Sequence, residues 1–178
     1  SARRGQTTYA FWWQSVTGGC RNAWALERER LERAGLPVLS RNNQMIRFSL
    51  MQLVWLAVLG WSFGWAVLPW ALAVAAIGIL LLETVNYIEH YGLRRRLLSS
   101  GMYEIVQPHH SWNSDHELGR IMLYELTRHS DHHYKANRKY QILRHFDQSP
   151  QLPFGYPASI LLALAPPLWF RLMHPLLD

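Results

Sequence analysis

From Phe48 to Leu82 the chain carries no Asp, Glu, Lys or Arg, and this run limits the possible folds more than any other feature. A single helix over "FSLMQLVWLAVLGWSFGWAVLPWALAVAAIGILLL" would extend about 50 Å, well beyond a hydrocarbon core of about 30 Å. Gly64 and Pro69 mark a break near its middle, so the run predicts two membrane helices, roughly 46–65 and 69–90, joined by a tight turn. Trp61, Trp65 and Trp70 then fall at the interface beside the turn, where amphipathic rings are favoured. The open ends are flanked by Arg41 and Arg47 before and by Arg94, Arg95 and Arg96 after, which assigns that side to the cytoplasm. The competing reading is a buried hairpin in a water-soluble domain, where two adjacent uncharged helices of this length are rare.

The flanking segments are polar. The first residue is Ser, and "SARRGQTTYAF" lacks the apolar centre of a signal peptide, which suggests a processed or truncated piece. The single cysteine, Cys20, excludes an internal disulfide framework and a Cys-rich metal site. Residues 21–34, "RNAWALERERLERA", predict an amphipathic surface helix in which Glu27, Glu29 and Glu32 pair with Arg28, Arg30 and Arg33, ended by Gly35 and Pro37. Trp24, Leu26 and Leu31 would face protein or lipid headgroups.

The second span ends "ETVNYIEHYGLRRR", with Glu83, Asn86 and His90 along one helical stripe. Ionisable groups there face a protein interior or a functional site, or else they reach the headgroups and pair with the three arginines. Weak helical periodicity runs from His116 through Tyr140, placing Leu118, Ile121 and Met122 against packed protein and histidines later on the same face. "DQSPQLPFGYPAS" predicts an extended loop. "ILLALAPPLWFRLM" is too short, and too broken by Pro166 and Pro167, to span a bilayer. The whole reads as all-α, with integral membrane helices and a cytoplasmic, helical, histidine-rich metal-binding region. Its parts are a cytoplasmic or interfacial segment (1–47), the membrane hairpin (46–90), the metal-binding region (91–155) and an apolar interfacial segment (156–178).

Most of the nine histidines lie between His109 and His145, and "RHSDHH" sets His129, His132 and His133 at i, i+3 and i+4. Such spacing lets imidazoles on one helix side converge on an ion, although His132 and His133 diverge by about 100°. The triplet therefore suits two nearby ions better than one. Imidazole ligation fits iron, copper, nickel or zinc rather than calcium or magnesium. Asp131 could orient a ligand through its second ring nitrogen. A solvated, histidine-rich helix is the bland alternative, weakened by the second polar cluster that ends in His90.

"NYIEHYGL" (86–93), "HSWNSDH" (110–116) and "RHSDHH" followed by "RKYQILRHFDQSPQLPFGY" together resemble the membrane-bound alkane monooxygenases over nearly the whole chain. Tyr134 replaces the alanine common after the last histidine, and the family's two earlier boxes, HExxHK and EHxxGHH, do not occur here. The chain thus resembles the C-terminal half of such an enzyme. The resemblance implies that His90, His129, His132 and His133 are metal ligands. It implies two iron ions shared with histidines of an N-terminal half that carries the first two boxes. Glu83, Asn86, Glu89, His116 and Asp131 are expected as hydrogen-bonding neighbours of the ligands; His109, His110 and His145 are expected to be structural.

The implied activity is terminal hydroxylation of medium-chain alkanes to 1-alkanols, using O2 and electrons from reduced rubredoxin, in the bacterial cytoplasmic membrane with the metals toward the cytoplasm. Trp55, Leu59, Phe63 and Ile79 are the expected channel wall, although lipid-facing or packing roles explain each equally. The net charge of +6, with Lys135, Arg138, Lys139 and Arg144 after the third box, offers a docking patch for an acidic carrier or for anionic lipid. No nucleic acid is expected. A membrane fatty-acid desaturase or hydroxylase, and a non-catalytic metal-binding membrane fragment, are the alternatives.

Overall fold

Helices α2 (Gln44–Phe63) and α3 (Leu68–His90) are long and apolar enough to cross a membrane, and almost none of their apolar windows is buried within the chain. A computed structural model describes residues 1–178, all helical apart from loops and two isolated bridges. The other helices are α1 (Thr8–Arg33), α4 (Glu117–Met122), α5 (His129–Tyr134), α6 (Tyr156–Ala163) and α7 (Pro166–Met173). The residues form two units: Trp13–Leu81 and, separately, Ser1–Trp12 with Leu82–Asp178.

In the first unit α2 begins at Asn43, whose side-chain oxygen accepts from the N–H groups of Met45 and Ile46 while its amide donates to the Val38 carbonyl. These bonds satisfy amides that the helix itself cannot. Glu27, buried on α1, accepts from Arg30 and from the Gln44 amide. The bond from Arg30, followed by that from Gln44, lowers its pKa to about 2. At the end of α2, Gly64 takes φ 85° and ψ 147°, a conformation essentially confined to glycine. A short 3₁₀ turn (Trp65–Val67) leads into α3, with Pro69 in its first turn. Trp61, Trp65 and Trp70 are exposed around this turn.

α1 is longer than the expected 21–34, because it starts at Thr8 and runs through Gly18 and Gly19. Those glycines and the β-branched residues beside them lower local helix propensity and hide the continuation. Its predicted charge pairs form, Arg28 with Glu32 and Arg33 with Glu29.

The second unit has an aromatic core of Phe11, Tyr87, Tyr91, Trp112, Tyr156 and Trp169, joined by Ile88, Leu152, Ala163 and Met173. A strap through a 3₁₀ turn (Pro108–His110) to Asn113 crosses the end of α3. The Trp112 amide donates to the Glu89 carbonyl and its indole N–H to the Tyr91 carbonyl, both at 2.8 Å. The carbonyls at this helix end are thus met by protein donors. Asn113 then pairs with Pro150 and Leu152 through its backbone.

The expected helix from His116 to Tyr140 does not form. α4 stops at Met122, and Tyr124 and Glu125 take φ of 51° and 61°, held by two hydrogen bonds of 2.9 Å from Arg120 to Glu125. Leu118, Ile121 and Met122 are exposed rather than packed. The ion pair and left-handed turn override a periodicity that was weak from the start. Beyond the proline-rich loop, the apolar C-terminal stretch breaks at Pro166 into α6 and α7, which bury Tyr156, Ser159, Ala163, Trp169 and Met173.

Candidate metal centre

His90 is the last residue of α3, and its orientation is set by the strap: Nδ1 lies 3.4 Å from the His110 carbonyl. That contact directs Nε2 away from the strap, to 3.2 Å from Nε2 of His129. His129 is the first residue of α5 and buried; His133 follows one turn later, its ring centroid 4.4 Å from that of His129 and 5.0 Å from that of His90. One ring nitrogen from each of the three lies within 4.8 Å of the others. Burial, then the neighbouring histidines, lowers the pKa of His129 to about 2; burial also lowers that of His133. Both rings are therefore neutral at pH 7 and keep a nitrogen lone pair for an ion.

The spacing fits coordination. Two nitrogens bound at about 2.1 Å to one ion, at angles between about 90° and 109°, lie about 3.0–3.4 Å apart. The 3.2 Å between His90 and His129 falls in that range. A set of neutral imidazoles suits a first-row transition ion.

His132 stands outside this trio, with ring centroids 5.9 Å from His129 and 5.7 Å from His133, as its place on the helix requires. Glu89, adjacent in sequence to His90, is 1% exposed. One of its oxygens accepts from the Tyr156 hydroxyl at 2.7 Å and the other lies 3.2 Å from His129 Nε2, so it pairs with no arginine. Tyr156 closes the stretch "RKYQILRHFDQSPQLPFGY" but was given no role by it; its further signal was its place between glycine and proline at a helix start. A cavity of about 240 Å³ opens beside His90 and His133, with Leu93, Arg95, Val106, His110 and Ser111 on its walls.

Other candidate residues lie elsewhere. Asp131 holds no histidine nitrogen; it is fully buried and accepts from Arg138 and from the Arg144 amide. This ties down two of the four expected docking cations and leaves Lys135 and Lys139 exposed. Glu83 and Asn86 are half-buried on α3 with no hydrogen bond to the trio, and one Glu83 oxygen has no partner. His116 is exposed at the start of α4, beside Gly155. In the first unit Trp55 lines a shallow apolar groove with Leu50, Met51, Val54 and Val58; Leu59, Phe63 and Ile79 do not line it.

Glu104, His109 and His110 also lie close together. His110 Nδ1, however, accepts from the Gln107 amide, so its Nε2–H donates to Glu104. Neither nitrogen keeps a free lone pair, and the cluster braces the strap.

The sequence pattern of the fatty acid desaturase family matches residues 1–158. The chain belongs to that family. Within it, the chain is 47% identical over 175 residues to alkane 1-monooxygenase 2 of Pseudomonas aeruginosa, which covers 98% of this chain and 46% of that protein. It is 41% identical to alkane 1-monooxygenase of Acinetobacter baylyi over 97% of this chain and 42% of the relative. The hydroxylase component of xylene/toluene monooxygenase from Pseudomonas putida is 31% identical over 96% of this chain and 44% of its own length. The chain thus spans a little under half the length of these relatives.

Proposed function

We propose that this chain supplies the C-terminal part of a membrane alkane 1-monooxygenase, with His90, His129 and His133 as metal ligands and His132 facing a second ion. The convergence of three imidazoles from two separate segments is the observation that carries the reading; similarity to alkane 1-monooxygenases supports the substrate class. The reaction consumes an alkane, O2, two electrons and two protons and yields a 1-alkanol and water. Two iron ions, shared with histidines of the N-terminal half, would supply the redox chemistry of O2. The residues of this chain hold the ligand nitrogens neutral and convergent, and the strap fixes the His90 ring. The α2–α3 hairpin lies in the bacterial cytoplasmic membrane with its metal end toward the cytoplasm. Electrons arrive from rubredoxin, which docks near Lys135 and Lys139.

The test uses the intact enzyme with reduced carrier and an alkane of medium chain length. A 1-alkanol is the expected product, and replacing His90, His129 or His133 with Ala is expected to remove bound iron and turnover together. Retention of stoichiometric iron in all three variants refutes the site. The match to the desaturase family favours one second reading, an acyl-chain desaturase or hydroxylase. Turnover of an acyl chain but not of the alkane would establish it instead.

A further inference from the structure

We infer that Arg3, Arg94 and Arg95 form a site for the phosphate of an anionic phospholipid at the foot of α3. This inference rests on the reading of α2 and α3 as membrane-crossing helices and concerns a cavity apart from the metal centre.

The chain leaves α3 at His90 and runs through Leu93 into three consecutive arginines. One backbone bond brings the N-terminal segment alongside them: the Gly92 amide donates to the Ala2 carbonyl at 3.0 Å, and Ala2 is buried. The result is a cavity of about 460 Å³, walled by Arg3, Arg94, Arg95 and Tyr103 with Ser1 and Leu93. Arg95 is braced in it, its guanidinium carbon 5.4 Å from the centre of the Tyr103 ring.

Three arginines on one cavity repel each other and raise its positive potential. Arg4, next to Arg3, is neutralised by Asp178, whereas Arg3, Arg94 and Arg95 pair with no carboxylate. The nearby Glu104 is engaged by the Arg96 amide and by His110. No side chain of the protein balances this wall, and an anion is its complement. Phosphate suits it best, because a guanidinium fork donates to two phosphate oxygens at once.

The rim favours a lipid over free phosphate. Residues 96–104 fold back as a short hairpin in which the Leu98 amide donates to the Met102 carbonyl at 2.8 Å and Gly101 turns the chain with a φ of 77°. The hairpin and the residue after it expose Leu97, Leu98, Met102 and Ile105 beside the row of cations. A headgroup region offers phosphate to the arginines and hydrocarbon to these apolar side chains, which water does not. Both features directly follow a helix long and apolar enough to cross a membrane.

The test titrates the intact enzyme in non-ionic detergent with phosphatidylglycerol, phosphatidylcholine and inorganic phosphate, with bound lipid counted by native mass spectrometry. Arg3→Gln with Arg94→Gln is the chosen variant, because these two residues, unlike Arg95, do not line the cavity beside His90 and His133. Phosphatidylglycerol is expected to bind about tenfold or more tighter than phosphatidylcholine, and the double variant to lose that preference. Arg41→Gln with Arg47→Gln, which removes two cations beside the start of α2, should change it by less than about twofold. Arg3→Lys with Arg94→Lys should recover part of the affinity, which separates lost charge from lost fold. A photoreactive p-benzoylphenylalanine in place of Tyr103 should crosslink to phospholipid in native membranes. Equal losses in the two arginine pairs, displacement of the lipid by inorganic phosphate, or crosslinking to protein alone overturns the site. If carbonate washing releases the unaltered enzyme from membranes, the membrane reading fails and the site with it. If the enzyme stays in washed membranes while the double variant binds the lipid unchanged, the site alone fails.

Discussion

Asn113 offers the sharpest test of how the histidine-bearing segments are held together. It is fully buried, and its side chain makes two bonds to one residue: Oδ1 accepts from the Ser130 amide at 2.9 Å, and Nδ2 donates to the Ser130 hydroxyl at 2.8 Å. Ser130 is the second residue of α5, whose first-turn amides have no partner within the helix. Arg128, in the capping position, offers no side-chain bond. Asn113 thus caps α5 from a distant segment. Asn113→Ala leaves the Ser130 amide buried and unpaired, at about 1–3 kcal/mol, and removes a second bond worth about 0.5–1.5 kcal/mol. The expected destabilisation is about 2–4 kcal/mol. Ser130→Ala keeps the acceptor for the amide but strands the buried Asn113 Nδ2 donor, and should cost about 1–2 kcal/mol, less than Asn113→Ala. Denaturant unfolding of the iron-free intact enzyme in detergent measures both, and chelator competition reports the accompanying shift of His129. Equal costs for the two variants, or a cost below about 0.5 kcal/mol for Asn113→Ala, would refute the assignment of Asn113 as the cap.

Three other outcomes are expected. The pKa of Glu27 is lowered from 4.5 to about 2, so the stability it lends is complete above pH 4.5 and is lost as pH falls toward 2; Glu27→Gln should flatten that part of an acid-unfolding profile. Gly64→Ala forces a side chain into a glycine-only backbone region and should destabilise by about 1–3 kcal/mol in thermal unfolding, whereas Gly78→Ala, in open space on α3, should not destabilise. Replacing Lys135 and Lys139 with Gln should slow carrier-dependent reduction at low ionic strength and have less effect in high salt, as read by stopped-flow absorbance.

The two long apolar helices, and the break between them, were legible because charge-free sequence interrupted by Gly64 and Pro69 leaves few alternatives. His90, His129 and His133 were legible as candidates because helical spacing and the two flanking motifs both point to them. Their mutual approach was not, since residues 39 apart in sequence meet only through the strap. Asp131 was misplaced because spacing gives a side chain's direction but not which arginine will reach it, and Arg138 arrives from beyond the helix. The role of Tyr156 was hidden although its motif was not: a tyrosine in a proline-rich loop resembles surface until the aromatic core is assembled. The break at Tyr124 and Glu125 depends on a local ion pair that outweighs a poor helical pattern, and periodicity does not register such a contest.

Trp112 has a mechanical consequence. By gripping the carbonyls of Glu89, in the last turn of α3, and of Tyr91, just beyond it, while its neighbour Asn113 grips α5, it ties the end of one long apolar helix to the opening turn of a much shorter helix. A shift of α3 along its axis is expected to carry His129 with His90 and to preserve the 3.2 Å between their Nε2 atoms. The three imidazoles are thereby held by one clamp rather than by two separately mobile segments.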